Sequence, residues 1–226
     1  MTKSESKPDP LEKHVGSWLV RSLILLAIVL MIGYMQGKRP TLWTSTDKRG
    51  ADAPLVMRGG DPYIRALMRT ISASESNVRD PYSVMYGGER AQDLSHHPDR
   101  CITIVTGPNT GNCSTAAGRY QFITTTWIEK ARQYHPSPDG FLLWHQYSFE
   151  PEYQDAVVYR WLSDSHAWNA DLRELLKQGK VNTVLKKLSG TWTSLGYGIE
   201  DNSMSAELPR IYNQILKDEM NQTSQR

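Results

Sequence analysis

Glu75 stands at the end of an apolar stripe, a place where a carboxyl group can do proton chemistry. Ile64, Leu67, Met68 and Ile71 recur at i, i+3, i+4 and i+7, and one further step along that face lands on Glu75. A start signal precedes them, with Asp61 suited to the N-cap and Pro62 to the first helical position. A carboxylate at the C-terminal end of this helix would be partly desolvated and would face the negative end of the helix dipole. Both effects disfavour ionisation and suit a general acid working near neutral pH. Position alone fits a frayed, solvated helix end equally, because Ser74, Ser76 and Asn77 flank the acid.

The residues that follow narrow the choice. Tyr82-Ser83-Val84-Met85-Tyr86-Gly87-Gly88-Glu89 alternates large and small side chains up to a Gly-Gly turn, which predicts a short strand and hairpin. Cys101 to Val105 predicts a second strand. Between them lies Asp93-Leu94-Ser95-His96-His97-Pro98; beyond come Ala117-Gly118-Arg119-Tyr120-Gln121 and, much later, Gly196-Tyr197-Gly198. No one block is specific, but Ser74-Glu75, Tyr82 with Gly87-Gly88-Glu89, Ser95 with His97-Pro98, Ala117 to Gln121 and Gly196 to Gly198 occur in a fixed order. From about Pro62 to Tyr212 this set resembles the bacteriophage lambda lysozyme family of peptidoglycan lytic transglycosylases.

The resemblance implies an α+β, two-lobed, lysozyme-like domain: a small hairpin lobe, a helical lobe, and a sugar cleft between them. It implies Glu75 as the catalytic acid, and Tyr82, Ser83, Arg119, Tyr120, Gln121 and Tyr197 as residues around the substrate. The last two blocks also have structural readings. Arg119 is suited to a fold-holding fork. Tyr120 could pack and Gln121 could cap, since both precede a capping-box-like Thr126-x-x-Glu129. Tyr197 could be a packed turn residue rather than a cleft residue between two glycines.

Two departures from the family bear on mechanism. The phage enzyme carries an acid after the hairpin tyrosine, where this chain has Ser83, and the segment from Glu75 to Tyr82 is much shorter here. The nearest acids, Asp80 and Glu89, do not occupy the matching position. A two-carboxylate hydrolase needs a second acid. A lytic transglycosylase needs only one: Glu75 would protonate the glycosidic oxygen between N-acetylmuramic acid and N-acetylglucosamine, then take the proton of the muramyl 6-hydroxyl as that oxygen attacks C1. The expected product is a 1,6-anhydro end, with no cofactor.

Other chemistry has less support. His96 and His97 with Asp93 and Asp99 could be read as metal ligands, but no second cluster accompanies them. No base or oxyanion motif recurs near Cys113. Cys101 and Cys113, the only cysteines, would close a short loop as a disulfide in an oxidising compartment; two buried free thiols remain the alternative. Lys177, Lys180, Lys186 and Lys187 form no basic stripe with interleaved aromatics, so no nucleic-acid partner is expected.

The 226 residues, 22% charged with a net charge of +2, suit one globular domain plus appendages. Apolarity concentrates near the start: from Trp18 to Met35 the only charge is Arg21. As a helix this stretch would span roughly 27 Å, close to a bilayer's hydrocarbon thickness. It predicts a single-pass anchor over residues 18–35, after a cytoplasmic tail (1–17) and before a flexible tether (36–60). The competing reading, a cleaved signal peptide, lacks a nearby small-x-small site. Flanking charges do not orient the span, whereas a peptidoglycan substrate would place the domain (61–220) in the periplasm at the inner membrane, ahead of a disordered tail (221–226). The expected partners are glycan strands, the lipid bilayer and an envelope-spanning apparatus that needs the wall opened locally. A muramidase, a phage endolysin on a releasable anchor, and a non-catalytic peptidoglycan-binding module are the alternatives.

Helical patterns fill the rest. Trp127, Ala131 and Tyr134 share a face before Pro136, and Tyr153, Ala156, Val157 and Trp161 share another after Pro151. Asn169 is suited to cap a helix carrying Leu172, Leu175 and Leu176 that ends at Gly179. Ser205 is suited to cap a last one with Leu208, Ile211, Tyr212 and Ile215.

Overall fold

The structure, a computed structural model, describes residues 53–107, 109–137, 147–197 and 205–224. The tail 1–17, the span 18–35, the tether up to residue 52 and Gly198 lie outside the described residues. Within them, no helix is long and apolar enough to cross a membrane.

Helix α1 (Pro62–Glu75) starts as its signals predict, with Asp61 accepting from the amides of Tyr63 at 3.0 Å and Ile64 at 3.3 Å. It is more deeply placed than a one-sided stripe implies. From Ala66 to Ala73 every residue is buried, so α1 is the central strut of the body. Its polar residues are paired there. Thr70 donates to the Ala66 carbonyl at 2.8 Å, and Arg65 and Arg69 converge on Glu219 at 2.6 and 2.9 Å.

The small lobe fits the α+β reading with a small sheet, although it contains less strand than the segments 82–89 and 101–105 predict. Among the described residues its sheet is antiparallel, β1 (Ile102–Thr103) against β2 (Cys113–Ser114), with Ile102 opposite Ser114 and Thr103 opposite Cys113. Cys101 and Cys113 are joined as a disulfide across its end, with their Cα atoms 5.3 Å apart. The predicted hairpin after Tyr82 is reduced to a single bridge, Val84 to Arg90, around a 3₁₀ turn, Tyr86–Gly88. Gly87 at φ +80° turns the chain too early for a longer ladder, and Met85 and Ala117 pair instead. Strand periodicity was present, but backbone partners were available for only a residue or two.

The helical body continues with α2 (Thr124–Tyr134), α3 (Pro151–Ser163), α4 (Ser165–Trp168), α5 (Leu172–Lys177), α6 (Val181–Leu188) and α7 (Leu208–Ser224), the last packed lengthwise on α1. Three boundaries differ from expectation. Helix α2 begins at Thr124, so Thr126 is inside it and makes no capping box. Asn169 is the left-handed C-cap of α4, and the N-cap of α5 is Asp171, which accepts from the Glu174 amide at 2.9 Å. Helix α7 runs through 221–224, where a disordered tail was expected. Helix α6 was not anticipated, although Val181, Val184, Leu185 and Leu188 fall at helical spacing and are all buried.

The tether also ends earlier than its composition suggests. Leu55 is buried in the core, Arg65 donates to the Met57 and Gly59 carbonyls at 3.1 and 2.9 Å, and the Asp61 amide donates to the Tyr159 hydroxyl at 2.8 Å. Residues 53–60 therefore belong to the folded body.

Candidate active site

Glu75, the last residue of α1, opens with Ser74 into a cleft of about 630 Å³. One wall comes from the small lobe through Tyr86, Ser114 and Ala116, and the others from α2 and the loop Gly190–Ser194; Trp161 contributes to the lining. Glu75 is half-buried, and its Oε1 accepts a short hydrogen bond from Ser194 Oγ. Ser194 is in turn fixed by Ser74, whose hydroxyl lies 2.8 Å from both the Ser194 carbonyl oxygen and Oγ. The acid thus sits at the meeting of the central helix and the 3₁₀ turn Thr193–Leu195, a hydroxyl holding one carboxyl oxygen.

The loop Gly118–Gln121 passes beside the acid and divides its side chains between two environments. At Gly118, φ is +75° and an added Cβ would press on Gln154 Oε1 and lie 2.7 Å from the Phe149 ring, so only glycine fits. The loop backbone is then pinned on both sides: Ser76 Oγ donates to the Arg119 carbonyl at 2.6 Å, and Trp192 Nε1 to the Tyr120 carbonyl at 3.0 Å. Gln121, in the left-handed region at φ +47°, faces the cleft while its Nε2 donates to the carbonyls of Gly118 at 2.9 Å and Val84 at 3.2 Å.

Arg119 and Tyr120 point the other way, into the body, and this corrects their expected place around the substrate. Both are fully buried. The Arg119 guanidinium donates to the carbonyls of Ala53 at 2.7 Å and Pro54 at 2.9 Å and to the Tyr82 hydroxyl at 3.0 Å. Tyr120 donates to Asp155 Oδ1 at 2.7 Å, and Tyr82 to Asp155 Oδ2 at 2.8 Å. The same Oδ2 accepts from the Val56 and Met57 amides at 2.8 and 3.1 Å. Gln154 completes the cluster, accepting from the Arg119 amide at 2.9 Å and donating to the Tyr82 and Phe149 carbonyls at 2.9 and 2.7 Å. Burial first and the Asp155 charge second push both phenols far above their ordinary pKa, so they remain neutral donors. Tyr82, Arg119 and Tyr120 are therefore members of a structural cluster rather than a substrate surface.

Ser83 and Tyr197 are not among the residues lining the Glu75 cleft. Ser83 accepts from Arg90 at 2.9 Å, and Arg90 also pairs with Asp80 at 3.0 Å. Tyr197, 42% exposed at φ +66°, donates to Asn182 at 3.1 Å. His97 serves the lobe: its Nδ1 accepts from the Asp99 amide at 3.1 Å, which leaves Nε2 as the donor to the Phe122 carbonyl at 2.7 Å.

Sequence reasoning missed the opposite wall. Ser194 sits in Trp192-Thr193-Ser194, which has no catalytic spacing to Glu75, so only the fold joins them. Glu129 and Lys130 were hidden by the capping-box reading; with α2 starting at Thr124, both line the cleft. Asp80 and Glu89, by contrast, pair with Arg90 and Arg100 away from it.

A comparison with curated proteins found no match. Among solved structures, bacteriophage lambda lysozyme complexed with a chitohexasaccharide is 25% identical, with a TM-score of 0.51 over 70% of this chain and 97% of the phage protein. A second structure of lysozyme from bacteriophage lambda is 20% identical, with a TM-score of 0.47 over 73% of this chain and 96% of its own. The fold is lysozyme-like. A family model described as Endolysin matches residues 65–216, well over half of the sequence, and the chain belongs to the endolysin family.

Proposed function

We propose that this chain is a membrane-anchored lytic transglycosylase that cuts the β-1,4 bond between N-acetylmuramic acid and N-acetylglucosamine in peptidoglycan. The observation that carries the reading is Glu75 at the end of α1, held by Ser194 in a cleft of about 630 Å³, in a chain of the endolysin family. The lambda lysozyme structure with a chitohexasaccharide supports a glycan as the occupant. Glu75 gives its proton to the leaving glycosidic oxygen and, as carboxylate, takes the proton of the muramyl 6-hydroxyl as that oxygen closes on C1. No water is consumed. Gln121, at the cleft wall beside the acid, is placed to hydrogen-bond the sugar.

One observation favours a second reading, hydrolysis. Glu129 lines the same cleft and is a carboxylate that could activate water. Mass spectrometry of the released muropeptides separates the two. Transglycosylation gives 1,6-anhydro-muramyl ends about 18 Da (one water) lighter than the hydrolysis products, whether residue 129 is Glu or Gln. Reducing ends that disappear in Glu129→Gln would make the protein a muramidase, and binding without release of muropeptides would make it a binding module.

The anchor belongs to the same proposal: residues 18–35 span the inner membrane and hold the domain in the periplasm. The apolar run from Trp18 to Met35 and the Cys101–Cys113 disulfide support it. Full-length protein should remain in the membrane fraction through a high-salt wash, and protease should digest the domain in spheroplasts. A soluble mature protein starting after Gly37 would make the run a signal peptide.

A further inference from the structure

Proton transfer at Glu75 makes no use of Lys130, the one cation among the described residues lining its cleft. Glu129, and Glu75 once it has given up its proton, disfavour an anionic ligand there unless something offsets them. Lys130 is built to do so. Its side chain is only 18% exposed, and its ammonium rests 4.5 Å from the Trp161 ring centroid. Trp161 is itself backed by Trp168 and Trp192 at 5.0 and 5.2 Å, so the seat under the cation is rigid. The partner is of a different kind. Glu129 meets the ammonium at 2.7 Å but is 69% exposed, and an ion pair this open to water contributes little.

A fixed ammonium with a loosely held carboxylate across it is a site that exchanges one carboxylate for another. On the glycan strand of peptidoglycan, N-acetylglucosamine is neutral. N-acetylmuramic acid differs by a lactyl ether ending in a carboxyl group, which is either free and charged or extended by a peptide that carries carboxylates. We propose that Lys130 is a specificity-determining residue whose ammonium receives a carboxylate of the muramyl unit, displacing Glu129, and so selects muramyl glycan over neutral chitin-type glycan. The proposal rests on the glycan-cleaving reading of the cleft.

The test measures affinity rather than turnover, using full-length Glu75→Gln protein so that no ligand is cleaved. Three glycans are compared: neutral chitohexaose, a peptide-free muramyl–glucosaminyl oligomer, and the same oligomer bearing stem peptides. Lys130→Met, which keeps an apolar stem over Trp161, should weaken at least one muramyl ligand about tenfold and leave chitohexaose within about twofold. The ligand that loses affinity identifies the carboxylate as lactyl or peptide. Glu129→Gln should move the same ligand the other way, because it removes both the competitor and a like charge. Equal losses for neutral and anionic glycans would reduce Lys130 to a prop for Trp161, and unchanged affinity for all three would also overturn the proposal. If the parent binds none of them, the glycan reading of the cleft fails first, a result distinct from either.

Discussion

Two polar clusters meet at the loop Gly118–Gln121. In the buried one, Asp155 is fully enclosed and accepts from two backbone amides and two phenols, while Arg119 reaches two carbonyls and a hydroxyl. In the open one, Glu75 is held by Ser194 and faces a cleft shared with Gln121, Glu129 and Lys130. Residue types hardly differ between them; each has at least one carboxylate, a cation and an amide. The difference lies in access: the first cluster is enclosed and turns its side chains onto the chain itself, with Arg119 Nε left unpartnered, whereas the second lines an open cleft. Neighbours in sequence therefore have opposite surroundings, with Arg119 and Tyr120 turned into the body and Gln121 facing the Glu75 cleft.

The sharpest way to break this contrast is to exchange the losses expected of the two clusters. Glu75→Gln should reduce release of muropeptides by about 10²- to 10⁴-fold while its thermal midpoint stays near that of the parent. Asp155→Asn should do the reverse, destabilising the fold by about 3–5 kcal/mol in chemical denaturation while the protein that remains folded keeps its specific activity. A stable but inactive Asp155→Asn would move the buried cluster into the catalytic machinery.

The same contrast explains what the sequence made legible. The central helix, the place of Glu75 at its end and the order of blocks could be read because each is written locally: Asp61-Pro62 starts the helix, its apolar period runs to Ile71, and Glu75 continues that period. The partners of Arg119 and Tyr120 could not, since Asp155 and Ala53 are distant in sequence and no pattern in Gly118–Gln121 says which side chain turns inward. Gln154 and Asp155 themselves interrupt the apolar face read from Tyr153 to Trp161, and two adjacent buried polar residues on a helix look like a solvated edge until their partners are in place. Ser194 was hidden for the same reason.

Smaller effects sharpen the picture of the cleft. Ser194→Ala should lower kcat about tenfold with KM nearly unchanged, because the hydroxyl is spent on holding Glu75, and Ser194→Thr should restore most of the rate. An equal fall in affinity would instead make Ser194 a substrate contact. The smallest effect concerns His97. Burial holds its pKa below the ordinary value of about 6.5, whereas the unfolded chain takes up the proton near that value. Between the two pKa values the unfolded state binds more protons, so the His97 contribution is fully present above about pH 6.5 and is lost as pH falls toward the folded pKa. The unfolding free energy across pH 5 to 7 should decline toward acid by no more than about 1.4 kcal/mol per pH unit from this group, and His97→Asn should flatten that part of the slope.

The arrival of the chain at Ala53 has a mechanical consequence. Tension applied from upstream enters the domain at the Ala53 and Pro54 carbonyls clamped by Arg119 and at the Val56 and Met57 amides clamped by Asp155. The load is shared by α3, which carries Asp155, and by the loop carrying Arg119, whose next residue but one is Gln121. A pull on Ala53 too weak to unfold the body would still load the loop that ends at Gln121, a residue of the Glu75 cleft held at a left-handed φ.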